Sequence, residues 1–186
     1  NDLIYGPAIK SYMLGKAPPA FDLLYWNGDA TNLPGKMAQQ YLRGLCQDDK
    51  FASDGFDVAG ATVQIGQITQ PICAIACETD HIAAWKSCFR GVQKMGSDDK
   101  TFILSGSGHI AGIVNPPAKK KYGHWLNPDL SLDPDAWKDT ASQQEGSWWP
   151  HWQAWLAEKS GEMIPPRAPG SPKFPPICPA PGTYVT

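Results

Sequence analysis

Asp80 and His109 are the two residues whose types and placement suit acid–base chemistry. Each follows an apolar run. Asp80 stands in Thr79-Asp80-His81, after Pro71-Ile72-Cys73-Ala74-Ile75-Ala76-Cys77. His109 stands in Ser107-Gly108-His109-Ile110-Ala111-Gly112, after Thr101-Phe102-Ile103-Leu104. A histidine takes a proton from a nucleophile near neutral pH and returns it to a leaving group. It needs an acceptor on its other ring nitrogen to fix tautomer and orientation, which a carboxylate supplies. Asp80 has the type and place for that role. Gly106 and Gly108 flank Ser107 and are expected to let the chain turn tightly and present His109. His81 competes as a base, but neighbours in an extended loop point apart, so only one of two adjacent residues faces the site. The alternative for the Asp–His pair is capping and packing. His124 and His151 are expected in helical, aromatic surroundings as packing or surface residues.

The elements that must hold this pair are legible from pattern. Residues 72–77 predict a buried strand, about 82–95 a helix, and 101–105 a second strand. Strands alternating with helical patterns predict a parallel sheet built from βαβ units, with its site beyond the strands' carboxyl ends. Upstream, Leu3 to Leu14 is helix-compatible until Gly15 and Pro18-Pro19. The run Phe21 to Trp26 is apolar and breaks at Asn27-Gly28-Asp29. Met37, Tyr41, Leu42 and Leu45 then recur at helical spacing, and 58–68 alternates enough for one or two short strands broken at Gly60 and Gly66. Downstream, Asp133-Pro134-Asp135 opens a helix. A further helix carries Trp148, Trp149, Trp152 and Trp155, with one broad aromatic face to pack on the sheet or to meet a partner. The last 22 residues hold eight prolines and are expected to run extended.

A chain of 186 residues with net charge −2 holds one domain with a real core, or most of a subdomain of something larger. Lys119-Lys120-Lys121 is a short run, expected in a solvated loop, and nothing marks a nucleic-acid partner. No segment approaches the roughly 20 apolar residues of a membrane helix, and the first residues lack a signal-peptide pattern. The five cysteines (Cys46, Cys73, Cys77, Cys88, Cys178) are odd in number and irregularly spaced, as expected of reduced thiols in a cytosolic protein. No metal site is expected, because no second Cys or His pair completes the set begun by Cys73 and Cys77.

An acid after one strand and a histidine after a later one match the second half of an α/β-hydrolase triad, whose order is nucleophile, acid, base. The nucleophile belongs on a G-x-S-x-G or G-x-C-x-G turn before Asp80, and this sequence has no such turn. Ser107 does not qualify, since Ser105 stands where the first glycine would be.

The strings Asp29-Ala30-Thr31-Asn32-Leu33-Pro34-Gly35, Asp80-His81-Ile82, Ser107 through Pro117, and Gly146-Ser147-Trp148-Trp149-Pro150 together resemble the class I polyhydroxyalkanoate synthases. The ending Pro179-Ala180-Pro181-Gly182-x-Tyr184-Val185 matches that family's ending, and the likeness runs over essentially the whole chain. The resemblance implies the C-terminal portion of an α/β-hydrolase fold with an inserted cap. Residues 1–60 would form cap and lead-in, 61–160 the core carrying Asp80 and His109, and 161–186 a proline-rich tail. It implies an acyltransferase that polymerises 3-hydroxyacyl-CoA into polyester with release of CoA, through a cysteine thioester. His109 would deprotonate the cysteine. Asp80 would orient His109 or help activate the 3-hydroxyl of the incoming unit. Ala111 is a candidate pocket wall. No cofactor is implied, coenzyme A being carried by the substrate. The implied partners are the growing polyester, the missing N-terminal half and a second copy of the chain, in the cytoplasm at polyester granules.

None of the five cysteines lies in the required turn, so the chain alone is expected to be inactive and, lacking its first strands, to fold poorly. Two alternatives stand beside this reading. One is a hydrolytic relative, a depolymerase or thioesterase. The other is a non-catalytic module that binds granules or a partner.

Overall fold

The computed structural model describes residues 5–17, 30–180 and 182–183. The apolar run from Phe21 with its break at Asn27–Asp29, the residues Leu3 and Ile4, and Pro181 with Tyr184-Val185 lie outside the described residues. The chain divides into two compact units, one made of Asn1–Pro34 with Ile164–Thr186 and the other of Gly35–Met163.

The first unit contains the expected N-terminal helix, as α1 (Tyr5–Ala8) continued by a wider turn over Ile9–Met13. It stops where Gly15 takes a positive φ of 61°. Residues 164–180 form neither helix nor strand, as seven prolines in so short a stretch dictate.

The second unit holds the site. It begins with α2 (Gly35–Gln40), prolonged by a wide-pitched helical segment over Tyr41–Gln47. The helical spacing of Met37, Tyr41, Leu42 and Leu45 is thus realised, though of these two segments only Gly44 is buried, pressed against the Phe56 ring. A hairpin of β1 (Phe56–Val58) and β2 (Ala61–Val63) follows. Its turn residues Ala59 and Gly60 both have positive φ, the turn that matches strand twist.

The main sheet has four strands in the order β3 (Ile72–Cys77), β4 (Lys100–Ser105), β5 (His124–Leu126), β6 (Ser142–Gln144). β3 and β4 run parallel, with Ile72 opposite Lys100 and Cys77 opposite Ser105. The crossover between them is α3 (Trp85–Lys94), so this part is the βαβ unit that the sequence pattern implied. The expectation of a parallel sheet throughout is corrected beyond it, because β5 and β6 add in antiparallel fashion. Three-residue strands are too short to show a period of two, which is why pattern did not reveal them. His124 accordingly sits in a strand, not a helix, while His151 is helical as expected.

Phe102 and Leu104 on β4 meet Trp85, Phe89 and Val92 on α3. Those three helix positions are spaced by four and three residues and form one buried stripe. Trp137 on α4 (Pro134–Asp139) closes the cluster, its ring 5.3 Å from both Phe89 and Phe102. Asp133 caps α4 by accepting from the Asp135 N–H at 3.0 Å. Trp137 is locked to the end of β5, its indole N–H donating to the Asn127 carbonyl at 3.0 Å. The tryptophan-rich helix α5 (Trp149–Glu158) buries none of its residues, and Trp152 and Leu156 remain exposed.

Trp137→Ala removes a fully buried indole at the meeting point of α3, α4 and the sheet. It is expected to lower stability by about 3–5 kcal/mol, measured by urea unfolding. A loss below about 1 kcal/mol would show that this cluster does not hold the unit together.

Candidate active site

β3 and β4 end side by side, and the chain leaves each of them towards the other. The Glu78 N–H donates to the Ser105 carbonyl at 2.8 Å and the Thr79 N–H to the Ser107 carbonyl at 3.1 Å, so the two loops start as a continuation of the strand pair. Asp80 lies three residues past the end of β3 and His109 four residues past the end of β4. Their side chains meet, with His109 Nδ1 at 2.8 Å from Asp80 Oδ2.

The carboxylate is fully occupied. Its other oxygen, Oδ1, accepts the backbone N–H groups of Ile82 at 2.8 Å and Ala83 at 3.0 Å. The Asp80 side chain is 7% exposed and that of His109 49%. An acceptor is therefore sunk beneath an imidazole that still reaches solvent. The Ala83 N–H, the His109 ring and the Ile82 N–H stabilise the charged form and hold the Asp80 pKa down at about 2. An ionised Asp80 accepts Nδ1–H, which leaves His109 Nε2 as the nitrogen able to take up a proton. His81 is exposed, and it is His109, not its sequence neighbour, that Asp80 engages.

The turn bearing His109 is built differently from expectation. Of Gly106, Ser107 and Gly108, it is Ser107 that has a positive φ, 72°, and neither glycine does. Gly106 is required for space instead, since a Cβ there would stand 3.0 Å from the Gly123 carbonyl oxygen. The chain then coils once, with the Gly112 N–H donating to the Gly108 carbonyl and the Val114 N–H to the Ile110 carbonyl. Gly112 is the tightest point, where a Cβ would meet Cys77 Sγ at 2.5 Å and the Gly106 carbonyl oxygen at 2.8 Å. Ala111 is half-buried in this coil. Three donors converge on the coil's last carbonyls: Ser105 Oγ (2.7 Å) and Trp148 Nε1 (2.9 Å) on Gly112, and Trp149 Nε1 (2.9 Å) on Ile113. In the sequence these tryptophans stand out as part of a helix face and of the Gly146–Pro150 string, not as donors to this coil. No local pattern signals these bonds, which join residues 36 apart in sequence.

Among the described residues, no cysteine near the pair is activated. Burial raises the thiol pKa of Cys73, Cys77 and Cys88, and the negative charge of Asp80 adds to this at Cys77 and Cys88. Burial also lowers the pKa of His124, with the His151 ring 6.4 Å away adding to the shift while the Gly146 carbonyl opposes it. His124 is a packing residue of the sheet. Lys119, Lys120 and Lys121 are exposed, as expected of a solvated loop.

No protein-family model matches the chain. Curated proteins do. The chain is 40% identical over its whole length to poly(3-hydroxyalkanoate) polymerase 2 of Ectopseudomonas oleovorans, covering 33% of that protein. It is also 40% identical over its whole length to the poly(3-hydroxyalkanoate) polymerase subunit PhaC of Rhizobium meliloti, strain 1021, covering 30% of it. The corresponding PhaC subunit of Cupriavidus necator is 40% identical, again over the whole chain, with 32% of its length covered. Over its whole length, then, the chain is similar to poly(3-hydroxyalkanoate) polymerases. It spans about a third of the length of these polymerases. The mixed sheet with its helices is compatible with an α/β-hydrolase type of fold. Among the described residues, no helix is long and apolar enough to cross a membrane.

The geometry of this site makes two predictions. Asp80 binds its proton less readily in the folded protein than in the unfolded chain, where its pKa is near 3.8. Its contribution to stability is complete above that value and is lost as pH falls towards about 2. In acid unfolding followed by circular dichroism, Asp80→Asn is expected to flatten the pH dependence across this window; an unchanged slope would show that Asp80 is not held ionised by the fold. Gly112→Ala is expected to cost about 1–3 kcal/mol by overpacking against Cys77 Sγ and the Gly106 carbonyl. A neutral effect in chemical denaturation would show that the coil has room to spare.

Proposed function

We propose that this chain supplies the acid–base half of a polyester-synthesising acyltransferase, acting on 3-hydroxyacyl-CoA. The observation that carries the reading is the bond between a sunken, ionised Asp80 and a solvent-reaching His109. In this reading His109 Nε2 takes the proton of a cysteine thiol supplied by sequence outside these 186 residues. The thiolate attacks the thioester carbonyl of the substrate, and the CoA thiolate leaves with the proton returned from His109. The product is an acyl thioester on the cysteine. In the second half His109 takes the proton of a 3-hydroxyl group. That oxygen attacks the acyl thioester, an ester forms and the thiol is restored.

Of the two roles open to Asp80, orienting His109 has the stronger support. Both carboxylate oxygens are already engaged, one on the ring and one on two backbone N–H groups. In this proposal residues 1–60 belong to a cap, 61–160 to an α/β-hydrolase core and 161–186 to a tail. Ala111 lies at the pocket wall, and dimerisation and granule association are those of the whole enzyme.

The first test is to read the coding DNA upstream of Asn1 for a G-x-C-x-G turn. In the full-length protein that carries this sequence, 3-hydroxybutyryl-CoA is expected to yield free CoA together with insoluble polymer. His109→Ala is expected to lower kcat roughly 10²–10⁴-fold, the range for a positioned acid–base group. The isolated 186-residue chain is expected to release no CoA. CoA release with free hydroxy acid in place of polymer would make the protein a hydrolase, and full activity of His109→Ala would overturn the assignment.

A further inference from the structure

The Asp80–His109 bond orients the ring within its plane, but the backbone that carries His109 must itself be held. It lies in one isolated coil, from Gly108 to Val114, joined by three internal bonds, from the Gly112 N–H to the Gly108 carbonyl and from the Ile113 and Val114 N–H groups to the Ile110 carbonyl. A single coil is not stable by itself, since its first turn fixes many dihedrals for few bonds. Its last carbonyls, Gly112 and Ile113, find little locally, Ile113 accepting only the neighbouring Asn115 N–H at 3.0 Å. In this protein those carbonyls are met from another part of the fold.

We propose that the indole N–H groups of Trp148 and Trp149 form a two-point clamp that sets the position of His109, which makes both tryptophans positioning residues. Trp148 is 8% exposed, and its Nε1 donates to Gly112 at 2.9 Å. Trp149 Nε1 donates to Ile113, the next carbonyl along, also at 2.9 Å. Adjacent residues serve adjacent carbonyls because the pair straddles the start of α5, with Trp148 at the N-cap and Trp149 the first helical residue. The Trp149 N–H is itself held by Ser147 Oγ at 3.1 Å, which fixes the angle at which the two rings leave the chain. The Trp148 carbonyl meanwhile accepts from the Trp152 N–H at 3.1 Å, tying the clamp to the body of the helix. α5 buries none of its own residues. Its contribution to the site therefore rests on these two directional bonds rather than on packed area.

The third tryptophan of the helix supplies the control. Trp155 Nε1 is buried with no partner among the described residues. Replacing that indole by phenylalanine takes away ring size and helix packing but no bond to the coil.

The test uses the full-length protein that carries this sequence, with ¹⁵N-labelled histidine. Ring nitrogen shifts of His109 report the fraction of the Nδ1–H tautomer that the Asp80 bond requires. Wild type and Trp155→Phe are expected to show that tautomer as the dominant form. Trp148→Phe and Trp149→Phe keep a ring and lose the N–H, and are expected to shift His109 towards the Nε2–H form that free imidazole side chains prefer. Trp149 is only half-buried, so Trp149→Phe is the variant that keeps the test open should Trp148→Phe unfold. An unchanged tautomer in Trp149→Phe, or an equal shift in Trp155→Phe, would overturn the clamp.

The kinetic arm rests on the proposed acyl transfer. There, Trp149→Phe is expected to lower kcat for CoA release severalfold with KM unchanged. A tautomer shift in a protein that releases no CoA would leave the clamp standing and remove the acyltransferase reading instead.

Discussion

Parallel pairing of β3 with β4 is the constraint on which the site depends. Parallel strands are joined by a crossover, so their carboxyl ends finish side by side on one edge of the sheet. The register makes this concrete, because Cys77 and Ser105, the last residues of the two strands, lie opposite each other. A few residues of loop on each side then suffice to bring a carboxylate to an imidazole. Any slip of that register would move Asp80 and His109 apart by a residue's rise and turn the strand side chains to the wrong face. What holds the register is the aromatic cluster beneath it, where Phe102 of β4 is gripped by Phe89 of the crossover helix and Trp137 of α4.

On that frame, each group in the site has been given separate work. One Asp80 oxygen binds the ring and the other binds backbone, which keeps the carboxylate ionised and stationary. Close approach replaces side chains around the His109 turn, through glycines at 106 and 112 that have no space for a Cβ. The Gly112 carbonyl receives both Ser105 and Trp148, so the end of β4 and the start of α5 are tied at one atom. Cys77 lies directly under Gly112, and burial leaves its thiol protonated. Proximity to the pair does not make it a nucleophile.

The antiparallel extension of the sheet shows what local pattern lacks. β5 and β6 offer three residues each, and their pairing is fixed by neighbours rather than by their own sequence. Gly123 permits the approach, since a Cβ there would stand 2.7 Å from the Gln144 carbonyl oxygen. Asn127 then ends β5 by donating to the Trp137 carbonyl at 3.0 Å while its own carbonyl receives the Trp137 indole. None of these contacts is between residues near in sequence.

The sequence by itself determined the βαβ unit, both strand ends and the two residues, Asp80 and His109, that meet beyond them. A run of apolar residues bounded by turn residues is a local, one-dimensional signal, and polar residues just past two such runs stand out. It also carried the likeness to poly(3-hydroxyalkanoate) polymerases, through motifs that need no coordinates to be read. Tertiary structure decided that Asp80 engages His109, 29 residues on, and not its sequence neighbour His81, because that depends on how a second loop crosses the first. It decided that Ser107 and not its glycine neighbours takes the positive φ, and that His124 lies in a strand. It decided as well that Trp148 and Trp149 serve the carbonyls of a coil some 36 residues earlier. Directional hydrogen bonds between distant segments have no sequence period, so only the folded chain reveals them.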